Sequence, residues 1–215
     1  METSRPLVNI RRNYGKFKIS EKTIAKNPFE QFTLWFDDAV NDNTILDPNA
    51  MTLATATKVG KPSSRTVLLK KYDNNGFVFF TNYESRKGCE IEENPMGSLL
   101  FFWPSLERQI RVDGSIERIS QKESDEYFQT RDYKSRIGAW ASRQSRKLKG
   151  RLTLMREVAG YIAKYPINVP LPHHWGGYRL IAEEFEFWQG RESRLHDRFL
   201  FVKENGNWEL QRLYP

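Results

Sequence analysis

At residue 51 the hydrophobic pattern changes from a helical period to a period of two, and this change most restricts the fold. Residues 51–57, 63–72 and 77–82 are rich in Thr, Val, Leu and Phe. Side chains on an extended strand alternate between its two faces, so such stretches bury one face and solvate the other. The breaks between them are Lys58-Val59-Gly60-Lys61-Pro62 and Asp73-Asn74-Asn75-Gly76, and the Asn-Gly pair is a strong hairpin-turn signal. A three-stranded antiparallel meander is predicted here. Further strands are predicted over 97–103, 108–119, 178–188, 194–202 and 208–213. Short helices fall between them, and one precedes them. Many antiparallel strands with helices outside predict a mainly β fold, a closed or split β-barrel with peripheral helices.

The predicted helices carry their own start signals. Asn27-Pro28-Phe29-Glu30 offers an N-cap, a proline at the first helical position and an acid at the third. Phe29, Phe32, Trp35, Phe36, Ala39 and Val40 follow at helical spacing. A short helix is expected from near Ser85 to just before Pro95. Ser120-Gln121-Lys122-Glu123 is a capping-box pattern that should open a helix carrying Tyr127 and Phe128. Another is expected over 152–165, stopped by Pro166. Residues 131–150 read as a basic, Ser-containing stretch with an apolar island, Ile137-Gly138-Ala139-Trp140. Residues 1–25 lack periodicity and read as a mobile arm, leaving 26–215 as a single domain.

Charge separates the function classes. The formal net charge is +7, yet residues 1–26 hold seven Lys/Arg against two acids. Most of the excess therefore sits in the arm, and a second basic cluster lies over 131–156. Two local clusters suit compact phosphate-bearing ligands at least as well as a long polyanion, so a nucleic-acid partner is not expected. No apolar run approaches the roughly 20 residues of a membrane helix, and no membrane partner is expected. The N-terminus has no apolar signal-peptide core, and Cys89 is the only cysteine. A cytoplasmic, reducing location is the expectation. Dinucleotide, P-loop, nucleophile-elbow and zincin signatures are missing. His173 and His174 are adjacent, which is not a metal-ligand spacing, so no metal is expected.

The remaining signals concern anions. Thr81-Asn82-Tyr83-Glu84-Ser85-Arg86-Lys87 reads as a strand end, a polar turn and a helix start bearing two cations. Free N–H groups and the helix dipole favour a phosphate there. Ser142-Arg143-Gln144-Ser145-Arg146 adds hydroxyls and cations. In Arg65-Thr66-Val67-Leu68-Leu69-Lys70, alternation puts Arg65, Val67 and Leu69 on one face and Thr66, Leu68 and Lys70 on the other. Arg194, His196 and Arg198 would likewise line one face of a strand over 194–202. That is either a patch built for an anionic or electron-rich ligand or the solvated face of a hairpin.

With these stretches in view, the chain resembles the pyridoxamine 5'-phosphate oxidase family of FMN enzymes. The likeness runs from R-R-N-Y at Arg11 to R-L-Y-P at the C-terminus. It is carried by R-T-V-L-L-K, F-T-N-Y-E-S-R-K, L-E-R-Q-I-R-V, S-R-I-G-A-W-A-S-R-Q-S and F-W-Q-G-R-E-S-R-L-H-D-R-F. The resemblance implies an FMN-binding split β-barrel and a homodimer with FMN at the subunit interface. It implies that Arg65, Thr66, Val67, Leu68, Leu69, Lys70, Phe80, Thr81, Arg86, Lys87, Gln109, Gln144, Ser145, Trp188 and Arg198 contact FMN. Lys70, Tyr127, Arg131 and Ser135 would hold the substrate phosphate. Arg194 and His196 would meet its pyridine ring as the catalytic pair, and Leu195 would also contact the substrate. Arg11, Arg12, Asn13 and Tyr14 would form a lid. The implied reaction oxidises pyridoxamine 5'-phosphate or pyridoxine 5'-phosphate with O2 to pyridoxal 5'-phosphate and hydrogen peroxide, with ammonia from the amine. The chain departs from the family pattern twice. Asp132-Tyr133 stands where a proline usually follows Arg131, and an inward Asp132 would weaken phosphate binding; Phe80 stands where Tyr is common.

Overall fold

The computed structural model describes residues 13–215; Arg11 and Arg12 lie outside the described residues. Five α-helices and nine strands follow in the order α1 (Pro28–Asn41), β1 (Ala50–Ala56), β2 (Pro62–Leu68), β3 (Lys71–Asp73), β4 (Gly76–Asn82), α2 (Arg86–Glu93), β5 (Met96–Trp103), β6 (Arg108–Arg118), α3 (Gln121–Thr130), α4 (Tyr133–Ala141), α5 (Arg151–Lys164), β7 (Trp175–Gln189), β8 (Asp197–Glu204) and β9 (Asn207–Leu213). The strands form one sheet in the order β2-β1-β5-β6-β7-β4-β3, with β8 pairing with both β7 and β9. The 15-residue β7 makes this possible. Its first part, Trp175 to Leu180, pairs with β4, and the strand also takes β6 and β8 as neighbours. A sheet that branches at one long strand is the plan of a split barrel, the expected fold class.

The predicted meander is not one unit. The stretch read as a single strand over 63–72 breaks at Leu69-Lys70 into β2 and β3. β1–β2 and β3–β4 are separate hairpins at opposite ends of the strand order. Backbone bonding sets the break: the Leu69 amide donates to the Asn49 carbonyl at 2.8 Å, while the next amide, Lys70, donates to Val78 at 2.9 Å. Consecutive residues thus bond to the turn before β1 and to β4. The apolar island over 137–140 belongs to a helix, α4, that periodicity did not reveal. Its N-cap is Asp132, whose Oδ1 accepts the Ser135 amide at 2.9 Å. The strand predicted over 178–188 begins three residues earlier, so Trp175-Gly176-Gly177 is part of β7. A Cβ at Gly176 would collide with the Tyr83 hydroxyl, so only glycine lets that ring lie against β7.

The chain divides into two compact units. Among the described residues, the first comprises 13–48, 102–110 and 185–215; the second comprises 49–101 and 111–184. In the first unit α1 is capped as its sequence predicts, with Asn27 Oδ1 accepting from the Phe29 amide at 2.8 Å. Phe29, Phe32, Trp35 and Ala39 are buried. Trp35 meets Phe187 edge-on at 5.4 Å, and Phe29 meets Phe185 at 5.0 Å. Ile19 and Ile24 of the 13–25 stretch are also buried. The second unit buries Leu53, Phe77, Phe79, Leu99, Phe101 and Val112. A satellite cluster beside it comprises Phe128, Ile137, Ala139, Val169 and Trp175. Burial of these rings and branched chains is the main favourable term for both units.

Candidate active site

The second unit contains a cavity of about 600 Å³, within the range of small-molecule sites. It gathers Thr66, Val67, Leu68, Lys70, Phe80, Thr81, Lys87, Tyr127, Arg131, Ser135 and Gln144 from the residues singled out in the sequence. Asn82 and Ser142, from the two anion-binding stretches, also line it, as does Trp175. In β2 the face carrying Thr66 and Leu68 is exposed, and Arg65 and Val67 are half-buried. The predicted alternation is therefore followed up to the break at Leu69.

Lys87 sits in the first turn of α2 and is 8% exposed. Its Nζ donates to Gln144 Oε1 at 3.0 Å, Thr81 Oγ1 at 3.2 Å and Ser85 Oγ at 3.4 Å. All three acceptors are neutral. Burial, then the nearby Arg65 guanidinium, push the Lys87 pKa down. A buried ammonium with neutral partners gains most from an arriving anion. The turn beyond α4 is tied to this point. Asn82 Nδ2 donates to the Ser142 carbonyl at 3.3 Å, and the Arg86 amide donates to Ser145 Oγ at 3.2 Å. Ser145 holds a left-handed φ of 70° to reach it.

Arg65 and Arg86 are held by a residue the sequence reading passed over. Glu90, 3% exposed, accepts from Arg86 Nε at 2.8 Å and Arg65 Nη2 at 3.2 Å, and from the hydroxyls of Ser63 and Thr55. Its only sequence signal was the i,i+4 spacing from Arg86. Burial alone would raise its carboxyl. The bonds from Ser63, Thr55, Arg86 and Arg65 outweigh that and hold it at about 2. A folded-state pKa below the ordinary 4.5 contributes stability that is complete above pH 4.5 and is lost as pH falls toward 2. The shift corresponds to about 3 kcal/mol at neutral pH. Glu90→Gln is expected to lower stability at pH 7, and its deficit relative to the parent should shrink between pH 4.5 and 2. Urea melts of both proteins across that interval measure the difference.

A second cation in the cavity has a different setting. Phe80 stacks on Tyr127 at 3.9 Å and on Trp175 at 5.5 Å, so its ring, not only its backbone, forms the wall. Arg131 lies over Trp175 at 4.8 Å, and its Nη1 is buried with no hydrogen-bond partner among the described residues. Burial pushes the Arg131 pKa down, against the pull of Tyr127 and Asp132. Asp132 itself is exposed and occupied as the α4 cap. Its bonds to Ser135 hold its carboxyl below the ordinary range.

The first unit holds the other group. Tyr14 meets Trp188 and His196 edge-on, each at 5.6 Å, and Trp188 and His196 are 4.6 Å apart. The Arg191 amide donates to His196 Nδ1 at 3.1 Å, which leaves the ring proton on Nε2. Burial, then the Arg194 charge, push the His196 pKa down. Asn13 and Leu195 are exposed, and Gln109 is half-buried on β6. Arg194, His196 and Arg198 do not share a strand face. Arg194 lies in a 3-10 turn, Glu192–Arg194, at φ 63°, and β8 begins only at Asp197. The chain bends there, and Ser193 also has positive φ. Arg198 Nε bonds Glu186 Oε1 at 2.8 Å, and its Nη1 bonds the Tyr214 carbonyl at 3.0 Å.

Residues 36–164 match the family model described as pyridoxamine 5'-phosphate oxidase. The chain belongs to that family. Residues 175–215 match the model described as the pyridoxine 5'-phosphate oxidase C-terminal dimerisation region. The pyridoxine/pyridoxamine 5'-phosphate oxidase of Cupriavidus necator is 52% identical over 210 residues, 97% of this chain and 99% of that one. The protein of the same name from Nostoc punctiforme is 50% identical over 211 residues, 97% and 98% of the two chains. Among solved structures, PhzG from Burkholderia lata 383, in complex with tetrahydrophenazine-1-carboxylic acid, superposes with a TM-score of 0.87. It is 30% identical and covers 94% of this chain and all of that one. Family membership makes this chain an oxidase with FMN as its cofactor. The donors fit that group: Lys87 offers a desolvated ammonium with neutral partners, beside the α2 N-terminus. No helix among the described residues is long and apolar enough to cross a membrane.

Proposed function

We propose that the chain oxidises pyridoxamine 5'-phosphate and pyridoxine 5'-phosphate to pyridoxal 5'-phosphate, as a homodimer with FMN at the subunit interface. The observation that carries this reading is that one cavity is lined by two differently built cation sites, Lys87 and Arg131. A phosphorylated cofactor and a phosphorylated substrate require two anion sites. Lys87 would bind the FMN phosphate, with Arg86 and Ser145 beside it. Arg131, with Lys70, Tyr127 and Ser135, would take the substrate phosphate. Its buried, unpartnered Nη1 supports that role.

FMN, held through Lys87, Arg86 and Ser145, would supply the two-electron acceptor for a hydride from the substrate C4' carbon, with O2 taking the pair as hydrogen peroxide. The protein's contribution is orientation and electrostatics. Arg194 and His196 would position the pyridine ring. A lowered pKa keeps His196 neutral near pH 7, with Nε2–H as a donor. Tyr14 and Trp188 pack against that imidazole and limit its rotation. With the amine substrate, water adds to the oxidised C=N carbon and ammonia leaves; the alcohol gives the aldehyde directly.

Purified protein supplied with FMN, O2 and each phosphorylated substrate should form pyridoxal 5'-phosphate and peroxide in equal amounts. An FMN-loaded protein that forms neither overturns the reading. Arg194→Ala is expected to cut turnover by about 100-fold, the lower range for losing a group that positions reacting atoms, while FMN stays bound. Loss of flavin from that variant would move Arg194 to the cofactor.

A further inference from the structure

Glu84, His173 and His174 lie outside the residues used above, and each offers one ligand atom such that all lie within 4.8 Å of one another. We propose that they form a binding site for a first-row divalent cation of the zinc class. Adjacency of the two histidines argued against a site, because it is not a metal-ligand spacing. Residues 173 and 174 are not strand; they form a turn just before β7, closed by the Trp175 amide donating to the Pro172 carbonyl at 3.0 Å. The two rings therefore come within 5.0 Å of each other.

Backbone bonds bring the carboxylate to them. The Tyr83 amide donates to the His174 carbonyl at 2.7 Å, which registers the residue before Glu84 against the turn. His173 Nε2 is 3.9 Å from Glu84 Oε1. His174 Nε2 lies 3.1 Å from the Ala139 carbonyl oxygen, an acceptor only, so that nitrogen carries the ring proton and Nδ1 keeps its lone pair. An imidazole that donates one N–H to a carbonyl and offers its other nitrogen is the usual state of a metal-ligating histidine. His173 and Glu84 have side chains 81% and 61% exposed, free to close the roughly 1 Å that separates these distances from a zinc shell. Two imidazoles and a carboxylate, with open positions for water, suit zinc, cobalt or nickel better than calcium or magnesium.

Zn2+ titrated calorimetrically into untagged FMN-loaded protein should bind at one ion per chain. His173→Ala and Glu84→Gln should each weaken that binding by more than about tenfold, since even outer-shell changes cost about 10- to 100-fold. Both positions are exposed, and flavin content should not change. Cys89, the one exposed thiol, is the competing ligand; its Sγ lies 3.8 Å from the Glu84 carbonyl oxygen. Cys89→Ser should leave the affinity unchanged. No binding to the parent protein, unaltered binding in both ligand variants, or loss of binding in Cys89→Ser would overturn the site.

Discussion

Lys87→Ala is expected to weaken FMN binding by about 10- to 100-fold. Charge-assisted hydrogen bonds contribute about 1.5–3 kcal/mol, and each 1.4 kcal/mol is a factor of ten in affinity. The loss should appear in flavin-fluorescence titrations of the apoprotein. The same substitution should not destabilise the apoprotein. Burial already lowers the Lys87 pKa, so its charge opposes folding in the ligand-free state. Of the acceptors it leaves, Thr81 and Gln144 line the cavity and can bond to water, while Ser85 Oγ keeps its bonds to the Asn82 carbonyl and the Gly88 amide. Weaker FMN binding with an undiminished apoprotein melting temperature separates a ligand-binding lysine from a structural one. Unchanged FMN affinity would remove Lys87 from the cofactor site.

Arg131→Ala is expected to raise KM for the phosphorylated substrates by a similar factor while leaving FMN affinity alone. The Arg131 guanidinium is held over Trp175, and its buried Nη1 has no acceptor among the described residues. A substrate phosphate would supply that acceptor. Arg131→Lys should recover little, because an ammonium cannot reproduce the planar fork stacked on an aromatic face. Steady-state kinetics at saturating FMN measure both variants. An unaltered KM in Arg131→Ala would show that the substrate phosphate is held elsewhere. Asp132 does not oppose this assignment, since its carboxylate caps α4 rather than turning inward.

The parts of the fold legible in the sequence are those written in local signals. The N-caps at Asn27, Ser85 and Ser120 each accept an amide of their own helix. The alternation in β1 and β6 marks their buried faces directly. What could not be read depends on contacts between distant segments. The break at Leu69-Lys70 is set by Asn49, in the turn just before β1, and by Val78, on β4. The bend that removes Arg194 from β8 rests on left-handed residues that are not glycine, so no composition cue marks it. Glu90 drew no notice because its second arginine, Arg65, lies 25 positions away. For the site, motif residues around Lys87, Tyr127 and Arg131 converge on one cavity. Their individual settings, neutral acceptors for one cation and none for part of another, required the fold.

The most direct test of the central reading is a visible absorption spectrum of the FMN-loaded protein, recorded without oxygen before and after adding pyridoxamine 5'-phosphate. Bleaching of the flavin band, with recovery on admitting air, is the result expected of a flavoenzyme that takes a hydride from this substrate. A flavin band that persists with substrate present would contradict the proposed substrate while leaving the fold intact. A protein that takes up no FMN would contradict the assignment of Lys87 and its neighbours as the cofactor site.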